Sequence, residues 1–350
     1  MELGSRLRTG ELVAMPTETV YGLAGNAWDP EAVAQIFAVK ERPRFDPLIV
    51  HLPMPEHPIK LEDLWASGLV RRGWGDQELE RVLQVCWPGP LTVVLPRDPQ
   101  VLDLVTSGLE TVAIRIPDHP LAQALLQAAG IPLAAPSANR FGHISPTSAQ
   151  AVWQELAGRI PYILDGGVCP VGIESTIIRY LGQGHWHCLR PGGIPMATLA
   201  GILGRDPDPL PAPAQPNAPG QLPSHYAPRK PFYRLPNSWK QIQTHQGIPS
   251  LGVLIWQGDP EFVQHILAER LGIPVQVWCL SRSGNTEEAA QRLFACLREM
   301  EASEAALLVT EGIGDPTGLG AAILDRLQRA SLPLERLQTD FPGQLRLDVG

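Results

Sequence analysis

The 350-residue chain has few lysines, no long apolar run and no paired cysteine motif, and each shortage argues against a class of protein. Lysine occurs four times, at positions 40, 60, 230 and 240, with no basic run or basic tail. The net charge is −8. Residues 1–205 hold 16 Lys+Arg against 20 Asp+Glu, and residues 206–350 hold 12 against 16, so both halves are mildly acidic. A protein that held nucleic acid by overall charge would show the opposite balance. An anionic ligand must therefore meet a few local cations. No stretch reaches the ~18 apolar residues needed to cross hydrocarbon. The N-terminus, MELGSRLRTGELVAMPTE, lacks the apolar centre of a signal peptide. The five cysteines are odd in number and none are spaced C-x-x-C, which argues against a disulfide framework or zinc ribbon and suits a reducing cytoplasm. Also missing are a P-loop, a G-x-S-x-G elbow and the third glycine of a dinucleotide fingerprint after Gly312 and Gly314.

What is present is proline, 36 of them, in a chain long enough for two domains. Over residues 1–205 the apolar runs 11–16, 47–52, 91–96, 111–117, 131–136, 162–167 and 174–180 read as strands, several closed by Pro or Gly. Asp29-Pro30-Glu31 is a helix start. Strands outnumber helices, so the expectation is an α/β domain with a curved mixed sheet and helices packed on it. Residues 206–236 hold ten prolines in 31 positions and read as an extended connector. Between 250 and 330, strands at 251–256, 275–280 and 305–310 alternate with helices near 260–271, 286–300 and 318–330. That rhythm predicts a smaller parallel α/β domain over 237–335, with a tail at 336–350.

Polar clusters in the first half are the candidate chemistry. They are Pro16-Thr17-Glu18-Thr19-Val20-Tyr21-Gly22-Leu23; Lys40-Glu41-Arg42-Pro43; Asp46-Pro47-Leu48-Ile49-Val50-His51; and Trp87-Pro88-Gly89-Pro90-Leu91-Thr92. They continue with Thr111 to Arg115, Pro136-Ser137-Ala138-Asn139 leading to Ser145-Pro146-Thr147, Gly172 to Thr176, and Leu189-Arg190-Pro191-Gly192-Gly193. Arg115 shares a strand face with Ala113, so its charge needs an anionic partner. The turn from Ser137 to Thr147 offers hydroxyls and backbone N–H groups suited to phosphate. His185, His187 and Cys188 resemble metal ligands, but strand alternation puts both histidines on one solvated face, and no protein metal site is expected there.

PTETVYGL, K-x-R-P, PLIVH, WPGPLT, AIRIPDHP, PSAN-x-x-G-x-x-SPT, GIESTI and LRPGG, in this order over residues 10–195, resemble the YrdC/Sua5 family of threonylcarbamoyl-AMP synthases. HYAP at 225–228 and the α/β tail resemble the long Sua5 form. The resemblance implies a twisted sheet around a concave, positively lined cavity and a Rossmann-like second domain. It implies that L-threonine, bicarbonate and ATP, with Mg2+, give threonylcarbamoyl-AMP and pyrophosphate. Separate machinery then transfers the threonylcarbamoyl group to adenosine 37 of ANN-decoding tRNAs. By resemblance Thr19, His51, Arg115 and Ser175 meet L-threonine. Arg42, Asp46, Thr111, Ser137, Asn139, Ser145, Arg190 and Tyr226 meet ATP, and Lys40 and Arg42 are the catalytic cations. Three anions brought together account for the cations, because positioned charge supplies most of such catalysis.

Two positions depart from the family. Asp46 stands where the family usually has Asn, and Leu222, Pro223 and Ser224 replace cationic and aromatic linker positions. The family's linker can cover the site as a lid, a role expected here for residues 215–228. Three other readings compete. An RNA-binding protein without turnover is weakened by the acidic charge. A hydrogenase-maturation protein with a similar domain would carry cysteine-rich zinc modules. A catalytically dead regulator would not retain Lys40, Arg42 and the Ser137 to Thr147 set.

Overall fold

The computed structural model describes residues 2–210, 226–312, 317–341 and 346–349. The chain divides into two compact units, residues 1–141 with 145–222, and residues 142–144 with 223–350.

The first unit is built on nine strands: β1 (Val13–Met15), β2 (Gly22–Asn26), β3 (Ile49–His51), β4 (Leu91–Pro96), β5 (Thr111–Arg115), β6 (Leu133–Ala134), β7 (Tyr162–Ile163), β8 (Thr176–Gly182) and β9 (His185–Arg190). They form one mixed sheet in the order β7-β1-β2-β6-β3-β5-β4-β8-β9. Pairs β1·β7, β3·β5 and β4·β8 are parallel and the remaining pairs antiparallel. Among its helices are α1 (Glu2–Arg8) and α2 (Pro30–Lys40). Helix α2 starts as the sequence predicts: Asp29 accepts from the Glu31 N–H and Pro30 sits in the first turn. It ends at Glu41, whose left-handed backbone (φ 54°) closes the last turn.

Strand alternation separates two faces. Val50, Val93, Leu95, Val112, Ile114 and Ile178 enter the large apolar core shared with Val33, Ile36 and Phe37 of α2. Their neighbours Ile49, Val94, Ala113, Ile177 and Leu189 form a small separate cluster on the other face. Residues of strands that bury both faces lose their binary pattern. That explains β2: Gly-Leu-Ala-Gly-Asn has weak strand propensity, yet it is held between β1 and β6 and was not legible as a strand.

The second unit carries β10 (Phe232–Arg234), β12 (Leu251–Gln257), β13 (Val275–Ser281), β14 (Leu307–Thr310) and β15 (Leu332–Pro333) in a parallel sheet ordered β13-β12-β14-β10-β15. The strand β11 (Ile242–Gln246) pairs antiparallel with β16 (Arg346–Val349). Helices Pro260–Leu271, Thr286–Ala302 and Leu319–Ala330 lie where the alternating rhythm predicts them. Two expectations are corrected. Phe232–Arg234 is not connector: Phe232 and Tyr233 are buried, and the strand takes an inner place in the sheet between β14 and β15. Residues 336–350 are not a bare tail, because they contain a helix at Arg336–Asp340 and strand β16. Both segments were masked by local composition, prolines in one and polar residues in the other, while their stability comes from strands distant in sequence. The expected lid, 215–228, lies outside the described residues except for 226–228.

Candidate active site

The face of the sheet opposite the main core carries part of the predicted polar set. The small apolar cluster of Ile49, Val94, Ala113, Ile177 and Leu189 makes its floor. On the same strand positions, two residues on, lie His51, Thr92, Thr111 and Arg115. His51 and Arg115 are register partners on the parallel strands β3 and β5. The polar turns are laced to this sheet by backbone hydrogen bonds: Leu23 N–H to Pro136 O (2.7 Å), Ala138 N–H to Tyr21 O (2.8 Å), Tyr21 N–H to Pro146 O (2.9 Å), and Val171 N–H to Glu18 O (2.8 Å).

Three of the four residues assigned to threonine fall into two linked groups, with His51 beside Arg115 in the register. Arg115, 4% exposed, donates from Nη1 to Thr19 Oγ1 at 2.8 Å and from Nε to Gly89 O at 3.3 Å. Its Nη2 lies 2.6 Å from Glu18 Oε1. Gly89 has no room for a side chain, since a Cβ there would stand 2.4 Å from Cys86 O. Thr17 and Thr19 share a hydroxyl hydrogen bond of 2.9 Å. In the second group, Ser175 Oγ is 2.7 Å from Thr92 Oγ1, and Arg190 donates from Nη2 to Ser175 O at 2.9 Å and to Ser175 Oγ at 3.3 Å. Burial, with the Arg115 charge beside it, lowers the His51 imidazole to about 3, so it is neutral at physiological pH. His51 Nδ1 is buried with no hydrogen-bond partner among the described residues.

The residues assigned to ATP lie along the same framework. Arg42 donates to Asp46 O (3.1 Å) and Pro47 O (2.8 Å) and pairs with Asp46 Oδ2 at 2.9 Å. Burial raises the Asp46 carboxyl above its usual range, opposed by Arg42 and then Lys40 and Arg190. Ser145, fully buried, donates to Glu174 Oε1 at 2.6 Å. Asn139 Nδ2 donates to Arg140 O at 2.9 Å. Thr111 opens β5, at the opposite end of that strand from Arg115. Ser137 is bridged to Gly22.

Lys40 and Tyr226 also have partners within the protein. Lys40 is fully buried, and its ammonium donates to Ser137 O at 2.5 Å and to Asn139 O. It braces the Pro136–Asn139 turn, with two of the three ammonium N–H groups donated to those carbonyls. Burial, reinforced by Arg42, holds its pKa well below that of a free lysine. Tyr226 is packed inside the second unit, with its ring 5.5 Å from Phe294 and 5.3 Å beneath the Arg326 guanidinium. Among the described residues, no group of three or more His, Cys, Asp or Glu side chains gathers as a metal site. His185 pairs instead with Asp208 (3.0 Å) and accepts from Arg205 (3.1 Å). No helix among the described residues is long and apolar enough to cross a membrane.

Sequence reading missed Glu18, Gly89, Thr92 and Glu174 as members of the cluster. Each lies inside a motif already singled out, so the signal was the motif as a unit and not its best-known member.

Comparison with known proteins agrees with this layout. Residues 5–192 match the Sua5/YciO/YrdC family model, described as telomere recombination. Residues 194–331 match the model of the threonylcarbamoyl-AMP synthase C-terminal domain. The threonylcarbamoyl-AMP synthase of Bacillus subtilis (strain 168) is 36% identical, over 93% of this chain and 90% of that protein. The synthase of Pyrococcus abyssi is 36% identical, over 93% of this chain and 92% of that protein. The crystal structure of P. abyssi Sua5 complexed with L-threonine superposes with a TM-score of 0.78 at 33% identity, covering 94% of this chain and 92% of that one.

Proposed function

The chain belongs to the YrdC/Sua5 family of threonylcarbamoyl-AMP synthases, and we propose that it joins L-threonine, bicarbonate and ATP into threonylcarbamoyl-AMP with release of pyrophosphate. The observation that carries the reading is the convergence on one sheet face of Arg115 with Thr19, and of Arg190 with Ser175 and Thr92, over an apolar floor. Such an array presents guanidinium groups to anions and hydroxyls to a small polar amino acid.

The carbamate formed on the threonine nitrogen attacks the α-phosphate, and pyrophosphate leaves. No enzyme nucleophile is needed, so catalysis is a matter of position and charge. Arg115 and Ser175 hold threonine; Arg42 and Arg190 face the nucleotide's charge; Lys40 fixes the turn that offers Ser137 and Asn139. Neutral His51 serves as a hydrogen-bond partner and not as a cation. Mg2+ brought in with the nucleotide would need few protein ligands. Asp46, a buried carboxylate whose Oδ2 is paired with Arg42 at 2.9 Å, would have Oδ1 to offer such an ion. Bound there, the ion would neutralise phosphate charge. The enzyme is a nucleotidyltransferase of the cytoplasm, and its product passes to the machinery that modifies adenosine 37 of ANN-decoding tRNAs.

Pyrophosphate release from ATP, with L-threonine and bicarbonate omitted in turn, tests this. Release should require both. Release that needs neither overturns the assignment.

A further inference from the structure

Glu18 is a buried acid that the threonine assignment leaves without a task. It is 4% exposed, and its Oε1 lies 2.6 Å from Arg115 Nη2. Yet the contact is purely ionic. Neither Glu18 oxygen receives a directed hydrogen bond from a described residue, and Arg115 Nη2 gives none. Buried polar groups are almost always hydrogen-bonded, and a carboxylate without donors is costly. Next to the Thr17 and Thr19 hydroxyls, Glu18 Oε1 thus has only this ionic contact and Oε2 accepts no directed hydrogen bond from a described residue.

That pairing is the complement of a zwitterion. An α-amino acid brings a carboxylate that needs donors and an ammonium that needs acceptors, on adjacent carbons. We propose that Glu18 receives the ammonium of the amino-acid substrate while Arg115 receives its carboxylate, and that Glu18 then takes one ammonium proton. This rests on the synthase reading and names a residue for a step it requires, since an ammonium has no lone pair with which to attack carbon. The ammonium gives its proton to the Glu18 carboxylate, leaving a neutral amine and a carboxylic acid. The nitrogen lone pair bonds to the bicarbonate carbon. Hydroxide leaves that carbon and takes a second nitrogen proton, departing as water, and the carbamate remains. Glu18 returns its proton to solvent when product leaves.

Two other titratable groups lie near Arg115. The His51 imidazole, at about 3, is a weak base. Burial pushes the Cys169 thiol, which neighbours Glu18 and Arg115, up to about 12. Glu18 is the carboxylate that remains.

The test is calorimetric binding to the full chain, without ATP, of L-threonine and of the dihydroxybutanoate that carries hydroxyl in place of the amine. Wild type should prefer threonine at least about tenfold, or ~1.4 kcal/mol. Glu18→Gln should weaken threonine at least about tenfold and change the dihydroxy acid less than about threefold. Wild-type affinities within about twofold of each other overturn the proposal, and that comparison needs no variant to fold. So does a Glu18→Gln chain with wild-type melting that loses both ligands equally, which would mean that Glu18 only positions Arg115. A wild-type chain that binds neither overturns the synthase reading, and this proposal with it.

Discussion

His51 offers a sharp test of the electrostatics of the site. It is 3% exposed, stands beside Arg115 in the register, and is held neutral with its imidazole lowered to about 3. In the unfolded chain a histidine titrates near ~6.5. Between these values the unfolded state binds a proton that the folded state refuses. Stability contributed by neutral His51 is therefore present above about 6.5 and is lost as pH falls toward 3. Each pH unit inside the window is worth ~1.4 kcal/mol. Allowing for partial titration at the upper edge, the loss from pH ~7 to pH ~5 comes to about 2 kcal/mol for this one group. Urea unfolding of the full chain at both pH values, wild type against His51→Gln, isolates the effect because other groups cancel in the difference. The variant starts lower at neutral pH and should regain about 2 kcal/mol relative to wild type on acidification. An equal decline in both proteins would refute the reasoning and show that His51 is solvated or paired in solution.

Two further outcomes follow from the geometry. Lys40→Met removes the ammonium under the Pro136–Asn139 turn but keeps most of the buried volume. Charge-assisted hydrogen bonds worth ~1.5–3 kcal/mol each are lost, offset by relief of ammonium burial. ATP affinity should fall at least about tenfold while L-threonine affinity moves less than about threefold, both read by calorimetry; a folded variant with unchanged ATP affinity would show that the turn does not need its prop. Gly89→Ala places a methyl 2.4 Å from Cys86 O. Thermal melting should register a loss of ~1–3 kcal/mol, with weaker threonine binding because the carbonyl that receives Arg115 is displaced; a variant that melts like wild type would mean that the turn yields freely.

The sequence by itself determined the local features. Asp29, Pro30 and Glu31 set the start of a helix through capping within three residues, and the helix is there. Residues 251–330 announced an alternating α/β unit because each strand and helix carries its own apolar period, and the elements fall at the expected places. The eight motifs marked most of the residues that gather on the sheet face, since each motif is one short turn or strand end.

Tertiary structure decided everything that depends on partners distant in the chain. Lys40 read as a cation for a substrate, and only the fold shows that it also donates to the carbonyls of Ser137 and Asn139, 97 and 99 residues away. Phe232–Arg234 read as connector among prolines, and parallel pairing with Leu308–Thr310 makes it an inner strand. Glu18 was visible as a letter between two threonines, yet its task became apparent only once Arg115, 97 positions along the chain, lay against it. The physical reason is the same in each case. Periodicity, capping and turn chemistry act between neighbours and are written in a few consecutive residues. Burial and charge pairing are set by which segments meet, and those energies exist only after the chain has closed on itself.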